Sequence, residues 1–278
     1  MVDHFESPKR TIQRAKHHID DLERHVIAFT DSNTWTHVVD LDADRFHHLH
    51  KIKCSRGLPD DLPSILFDAV NNLRSTLDQC GYACAMAAKS KSTKHIKFPF
   101  AKDETHFLRA VSGCCKDLPA EIIALFRSYN AFKGGNDVLW TLNELFNAKK
   151  HFSLVPMTAG RAILRIIPTA EHPLASKARP PPQQFARGVS PAGFYGLVGG
   201  NVSSRDPRWD TSRNELLLLR TDPKKLVNYD ANVSPTVSIE GIDILRHKPA
   251  VSVLKQMLSA VAVVRDATEG EYRRLGLI

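Results

Sequence analysis

DAVNNLRSTLDQCGYACAM, residues 68 to 86, is the stretch on which the fold turns. Val70, Leu73, Leu77, Cys80 and Cys84 recur at three- and four-residue steps, the period of one helical face. Upstream, Leu66 and Ala69 extend the stripe, and Leu62-Pro63-Ser64 opens the helix with Asp61 or Ser64 near its first turn. Asn71, Arg74 and Asp78 lie along the border of that stripe within an arc of about 60°. Arg74 and Asp78 are four residues apart and spaced to pair. Hydrogen-bonding groups at the edge of a core meet something, and the question is what.

A second segment repeats the arrangement. VLWTLNELFNAKKHFSL, residues 138 to 154, reads as part of a helix from about Asp137 to Leu154. Val138, Leu142, Leu145, Phe146 and Phe152 form its core face. Asn143, Asn147 and Lys150 make a narrow band beside that face, with Glu144 and His151 slightly further round. Two helices thus bring amides, cations and a carboxylate to the margin of one core. One expectation is a positively charged cleft, in which the Arg74 fork and Lys150 meet a phosphate or carboxylate. The other is an internal clamp, with Arg74 on Asp78 and the asparagines on loop backbones.

Working outward, Ile12, Ala15, Ile19, Leu22, Val26 and Phe29 predict a helix over 9–30. WTHVVDLDADRFHHLHKIK alternates on both sides of a DAD turn, as a β-hairpin does. IKFPF leads to short helices around 104–111 and 120–128. RAILRIIP, NELLLLR and TVSIEGI are strand-like, and ARPPPQQFARGVSPAG is too proline-rich for a helix. Val251, Leu254, Met257, Leu258, Val261 and Val264 mark a closing helix. The expected fold class is α+β in a single domain, 1–278. It is predominantly a helical bundle, with a helical core at about 9–30, 63–89, 103–155 and 250–273. A β-hairpin is inserted at 35–54, and a β-rich C-terminal half, 160–245, is closed by the final helix.

The chain has 278 residues, 42% of them hydrophobic and 24% charged, the balance of a soluble globular protein. No run of about 18 apolar residues predicts a membrane span. The opening residues lack an apolar h-region, so the expectation is a cytoplasmic protein without a secretory signal. The five cysteines include no CxxC pair and read as free structural thiols. A net charge of +8 favours polyanionic partners. Lys89, Lys91, Lys94, Lys97 and Lys102 form one basic stretch without an acid, and Arg161, Arg165, Lys177, Arg179 and Arg187 form a second basic region interrupted only by Glu171. Both fit phosphate contact, and both fit a solvated surface. His37, His48 and His50 would share one side of the hairpin, but no cysteine or carboxylate spacing completes a zinc set. No P-loop, dinucleotide or HExxH string occurs, so no metal or cofactor is expected.

DAVNNLRSTLDQ and LNELFNAKKH resemble paired signatures of a widespread, largely uncharacterised bacterial family, D-x-V-H-N-L-R-S-A-L-D-H and L-x-x-x-x-N-x-x-K-H. The order of elements is similar too. An arginine followed by a histidine also resembles the motif of HEPN ribonucleases, which are helical, often dimeric and metal-independent. The resemblance implies a protein that binds RNA or another phosphate-bearing ligand between helices, with a homodimer, as is frequent in that family, among its expected partners. As an enzyme it would be an endoribonuclease using the substrate's 2′-hydroxyl. Arg74 and His151 would be catalytic; Asn71, Asp78, Asn143, Asn147 and Lys150 would hold the ligand. The chain departs from the motif at Gln79, where histidine is expected, and at Asn71. Glutamine exchanges no proton near neutral pH, so only His151 could fill that role. The rival class is a non-catalytic interaction or regulatory module.

Overall fold

The computed structural model describes residues 3–32, 35–148, 153–158, 163–167, 209–210, 212–221, 228–232, 235–245 and 248–277. Six α-helices and several short strands occur among them. Helix α1, Glu6–Thr30, carries Pro8 in its first turn, where no N–H is needed. Its predicted stripe, Ile12 to Phe29, is buried throughout. Helix α2, Leu62–Ala87, lies against α1, and α6, Ala250–Arg274, touches both. The α2 stripe from Leu66 to Cys84 is buried to the last residue, and these three helices share one contiguous apolar core. Lys9 Nζ meets Glu269 Oε1 at 2.8 Å, and the Phe5 and Tyr272 rings make a tilted contact with centroids 4.8 Å apart, so the first and last helices are stitched at one end.

Helix α3, Glu104–Cys114, begins where Asp103 accepts the His106 N–H at 2.9 Å. Helix α4 is Ala120–Ser128, and α5, Asp137–Asn147, begins where Asn136 accepts the Leu139 N–H at 3.1 Å. Both side chains satisfy a backbone donor that the first turn leaves open. No described helix is long and apolar enough to cross a membrane.

The hairpin forms as expected. Strand β1, Trp35–Leu41, pairs antiparallel with β2, His48–Cys54, with Leu41 opposite His48 and Val39 opposite His50. Its turn is held by Asp44, whose Oδ1 accepts from the Phe46 and His47 N–H groups at 2.8 and 3.1 Å. It is more than an insert, because NELLLLR joins it as a strand. Taking the later strands in chain order, β3 is Ser153–Thr158, β4 Ile163–Ile167, β5 Trp209–Asp210, β6 Glu215–Thr221, β7 Asn228–Asn232 and β8 Pro235–Glu240. The hairpin sheet runs β1-β2-β6-β5, while β3–β8 and β4–β7 form two-stranded pairs. The buried Lys51 ammonium sits between Asp40 (3.0 Å) and Glu215 (2.8 Å), and Arg220 reaches across to Asp42 and Asp44.

Two expectations are corrected. The helix expected to run to Leu154 ends at Asn147, and SLVPMT is strand β3, with Leu154 opposite Ile239. Pro156 explains part of this, since the residue before a proline is pushed from helical to extended backbone. A β-rich C-terminal half is not supported. The strands there are short, the stretch 168–208 lies outside the described residues, and the largest element is the 25-residue α6.

All five cysteines are free. Burial drives the Cys80 thiol upward and pushes that of Cys84 up to about 12. Cys114 differs: it is half-buried, and a hydrogen bond with Cys115, 3.7 Å away between sulfurs, lowers it. Because the thiolate is the reacting form, an aromatic disulfide reagent at pH 8 is expected to label Cys114 alone within minutes. All five should react in denaturant, and rapid native labelling of Cys80 or Cys84 would contradict this packing.

Candidate functional site

Arg74 leaves α2 toward α5. Its Nε donates to Asn143 Oδ1 at 3.3 Å, so the two polar stripes do meet. Its Nη1 is buried and 2.5 Å from Asp78 Oδ2, an ion-pair contact in which the oxygen lies off the N–H direction. The guanidinium carbon stands 4.1 Å from the centre of the Phe100 ring and 5.8 Å from that of Phe146. A cation over an aromatic face is attracted by the ring's quadrupole, more so where water is excluded. The Arg74 side chain is 11% exposed.

Asp78 faces a second neighbour. Its Oδ1 accepts the Phe98 N–H at 2.8 Å, fastening the segment 96–101 to the middle of α2. The Phe98 ring then packs in a tilted contact, centroids 5.0 Å apart, against both Phe100 and Phe126. Gly81, one turn further on, lets this layer approach: a Cβ there would stand 3.1 Å from Ile96 Cγ2 and 3.4 Å from Phe126 Cε2. Arg74, Asp78, Asn143 and the two phenylalanines thus join α2, α5 and the IKFPF segment. The i,i+4 pair was readable in the sequence. The roles of Phe100 and of the Phe98 backbone were missed, for IKFPF carries no periodic signal of where its rings go.

The other expected site residues stand apart from this junction. Asn71 is half-buried and Asn147 exposed at the end of α5, and neither side chain makes a hydrogen bond among the described residues. Lys150 and His151 lie outside the described residues. No protein-family model matches the chain, and no curated protein or solved structure is significantly similar to it. The site therefore stands on its own geometry. Gln79 stands about 140° round the helix from Arg74. It faces α1, where its Oε1 accepts from Ser7 and Thr11 at 3.0 and 2.9 Å.

An open groove of about 590 Å³ runs along that α1–α2 edge, with Gln79 and Tyr82 in its wall. Its charges are mixed: Asp3 and Glu6 stand against Arg10 and Arg14, and Arg10 Nε is taken by Glu6 at 2.8 Å. A smaller cavity of about 60 Å³ lies between α5 and α6 beside Thr141 and Met257. Arg74 lines neither. On the hairpin, the His37 side chain is outside those described, and no cluster of three or more metal-ligating side chains occurs among the described residues.

Proposed function

We propose that the chain is a non-catalytic interaction module in which the polar stripes of α2 and α5 are internal structure. One observation carries this reading: the Arg74 guanidinium, 11% exposed, is already engaged by Asp78, Asn143 and Phe100. A phosphate would have to displace the Asp78 carboxylate to reach it. Glutamine at position 79, turned toward α1, supports the same conclusion. The five free thiols support a reducing compartment such as the cytoplasm.

The experiment compares the wild type with Arg74→Met, following thermal unfolding and the cleavage of labelled RNA in chelator. The expected result is a lower Tm in the variant and no cleavage by either protein. RNA cleavage by the wild type that vanishes in both Arg74→Met and His151→Ala, with Tm unchanged, would overturn the reading.

A second reading is favoured by the meeting of Arg74 and Asn143 from separate helices. The chain would then be HEPN-like, holding RNA or another phosphate-bearing ligand between α2 and α5. Arg74 and Lys150 would neutralise phosphate, Asn71, Asn143 and Asn147 would orient it, and His151 would move the proton.

A further inference from the structure

Between Asp78 and Asp103 the sequence holds no acid, yet it carries Lys89, Lys91, Lys94, Lys97 and Lys102. All five are exposed, and none has an ion-pair partner among the described residues. Elsewhere Lys9, Arg10, Arg24, Lys255, Arg273 and Arg274 each sit in an ion pair, and exposed cations without one, such as Arg14 and Lys16, stand among acids of their own helix. The lysines project from a backbone that is firmly held. Ile96 and Phe98 are buried, the Phe98 N–H is bound by Asp78, and Ser90 Oγ donates to the Asp117 carbonyl at 2.5 Å. The Cys115 thiol donates to the Lys97 carbonyl at 3.7 Å. These two contacts bring the exposed, unpaired Lys116 alongside the turn. Two acids adjoin these lysines in sequence: Asp117, whose carboxylate makes no ion pair among the described residues, and Asp103, which is engaged by His106 at 2.8 Å and also feels the charge of Lys102.

A second observation is independent of charge. Lys89 ends α2 in the left-handed conformation, φ 53°, while Ser90 N–H reaches back to the Ala85 carbonyl at 3.0 Å. This is the position after a helix where glycine is the usual residue, because a side chain is strained there. A lysine kept at a glycine position is an outlier that points to a use for the lysine.

We propose that the turn from Lys89 to Lys102, with Lys116 beside it, is a docking surface for the phosphodiester backbone of a nucleic acid. The inference rests on the reading of the chain as a binding module and names its partner. Lysines offer compact point charges without the planar fork that reads a base edge, so recognition is of the phosphate chain and not of sequence. An anionic membrane fits less well, since Ile96, Phe98 and Pro99 are buried and the half-buried Phe100 ring is covered by Arg74, which leaves no apolar side chain of the turn standing out to insert. An acidic protein partner fits less well too, for the turn presents no exposed aromatic anchor to fill a pocket.

The test uses the full chain and a fluorescent single-stranded oligouridylate, titrated from 50 to 200 mM salt. Six lysines on six phosphates would give a slope of log Kobs against log salt of about −4. Lys91→Glu/Lys94→Glu/Lys97→Glu should weaken binding at least about tenfold and bring the slope toward roughly −2. Arg14→Glu/Lys16→Glu/Arg24→Glu, the same change in net charge placed on α1, should leave binding within about threefold. Lys89→Gly should raise Tm by about 2 °C while weakening binding, a combination that a purely structural role for Lys89 does not produce. The proposal is overturned if the wild type does not bind, or if the two triple variants weaken binding equally. Tighter binding to phosphatidylserine vesicles with the same lysine dependence would overturn it as well. Cleavage of the oligonucleotide would defeat the module reading instead, and leave the surface to be judged on the lysine variants.

Discussion

Asp78→Ala is expected to cost the fold about 3 kcal/mol, more than any other single change at the junction of α2 and α5. Two losses combine. Arg74, nearly buried, is left without its counter-charge, and breaking one side of such a pair is worse than never having built it. The Phe98 N–H also loses its acceptor at 2.8 Å, and a buried donor without a partner costs about 1–3 kcal/mol. Because Asp78 is one-third exposed, water can recover part of both terms, which keeps the figure at the low end of the range for buried pairs. Arg74→Met should cost less, about 2 kcal/mol, because it removes the charge together with the need to solvate it and keeps much of the stem's packing on Phe100. The double variant should fall short of the sum of the two single changes, as residues in direct contact do. Urea midpoints with unchanged slopes would measure all three. If Arg74→Met proved costlier than Asp78→Ala, the clamp would not be organised around the carboxylate.

The sequence was most informative where a pattern is local. The stripes of α1, α2 and α6 follow one period over 25 or 26 residues, so the named stripe residues of α1 and α2 are all buried, while in α6 Leu254, Met257, Val261 and Val264 are buried and Val251 and Leu258 only partly so. The hairpin was legible for the same reason, since alternation flanks a turn rich in aspartate. What failed depends on partners far along the chain. AKKHFSL keeps a helical spacing of apolar residues, and only its pairing with β8, more than 70 residues later, makes SLVPMT a strand. Nothing in the hairpin's own sequence marks Lys51, yet it is buried against Glu215, 164 residues away. At the candidate site the split is the same. The Arg74–Asp78 pair follows from helical spacing, whereas the engagement of both groups by Asn143, Phe98 and Phe100 comes from segments whose approach no local rule predicts. Cleft and clamp therefore share one sequence pattern, and what bears on the choice is the surroundings of Arg74 in the fold.

The second large effect is expected at Gly81, where α2 meets the layer beneath the lysine turn. Gly81→Leu should destabilise the fold by about 3 kcal/mol, because even the first carbon of the new side chain would stand 3.1 Å from Ile96 and 3.4 Å from Phe126. The remaining three carbons have to displace rings that are already packed on one another: Phe98 tilted against Phe126 at 5.0 Å, and against Phe100 at the same distance. Gly81→Ala sets the scale. Its one methyl asks Ile96 to yield by a few tenths of an ångström, and the gain in helix propensity of about 1 kcal/mol offsets that strain, so the variant should stay within about 1 kcal/mol of wild type. Thermal unfolding of the two variants side by side checks the argument, and a leucine variant as stable as the alanine one would mean that the layer has slack. The position matters beyond stability, because Ile96 and Phe98 anchor the backbone from which Lys94, Lys97 and Lys102 project. A ring layer pushed away from α2 would leave those lysines with their charge and without their fixed spacing. Gly81→Leu should thus weaken oligouridylate binding even though no charge has been changed.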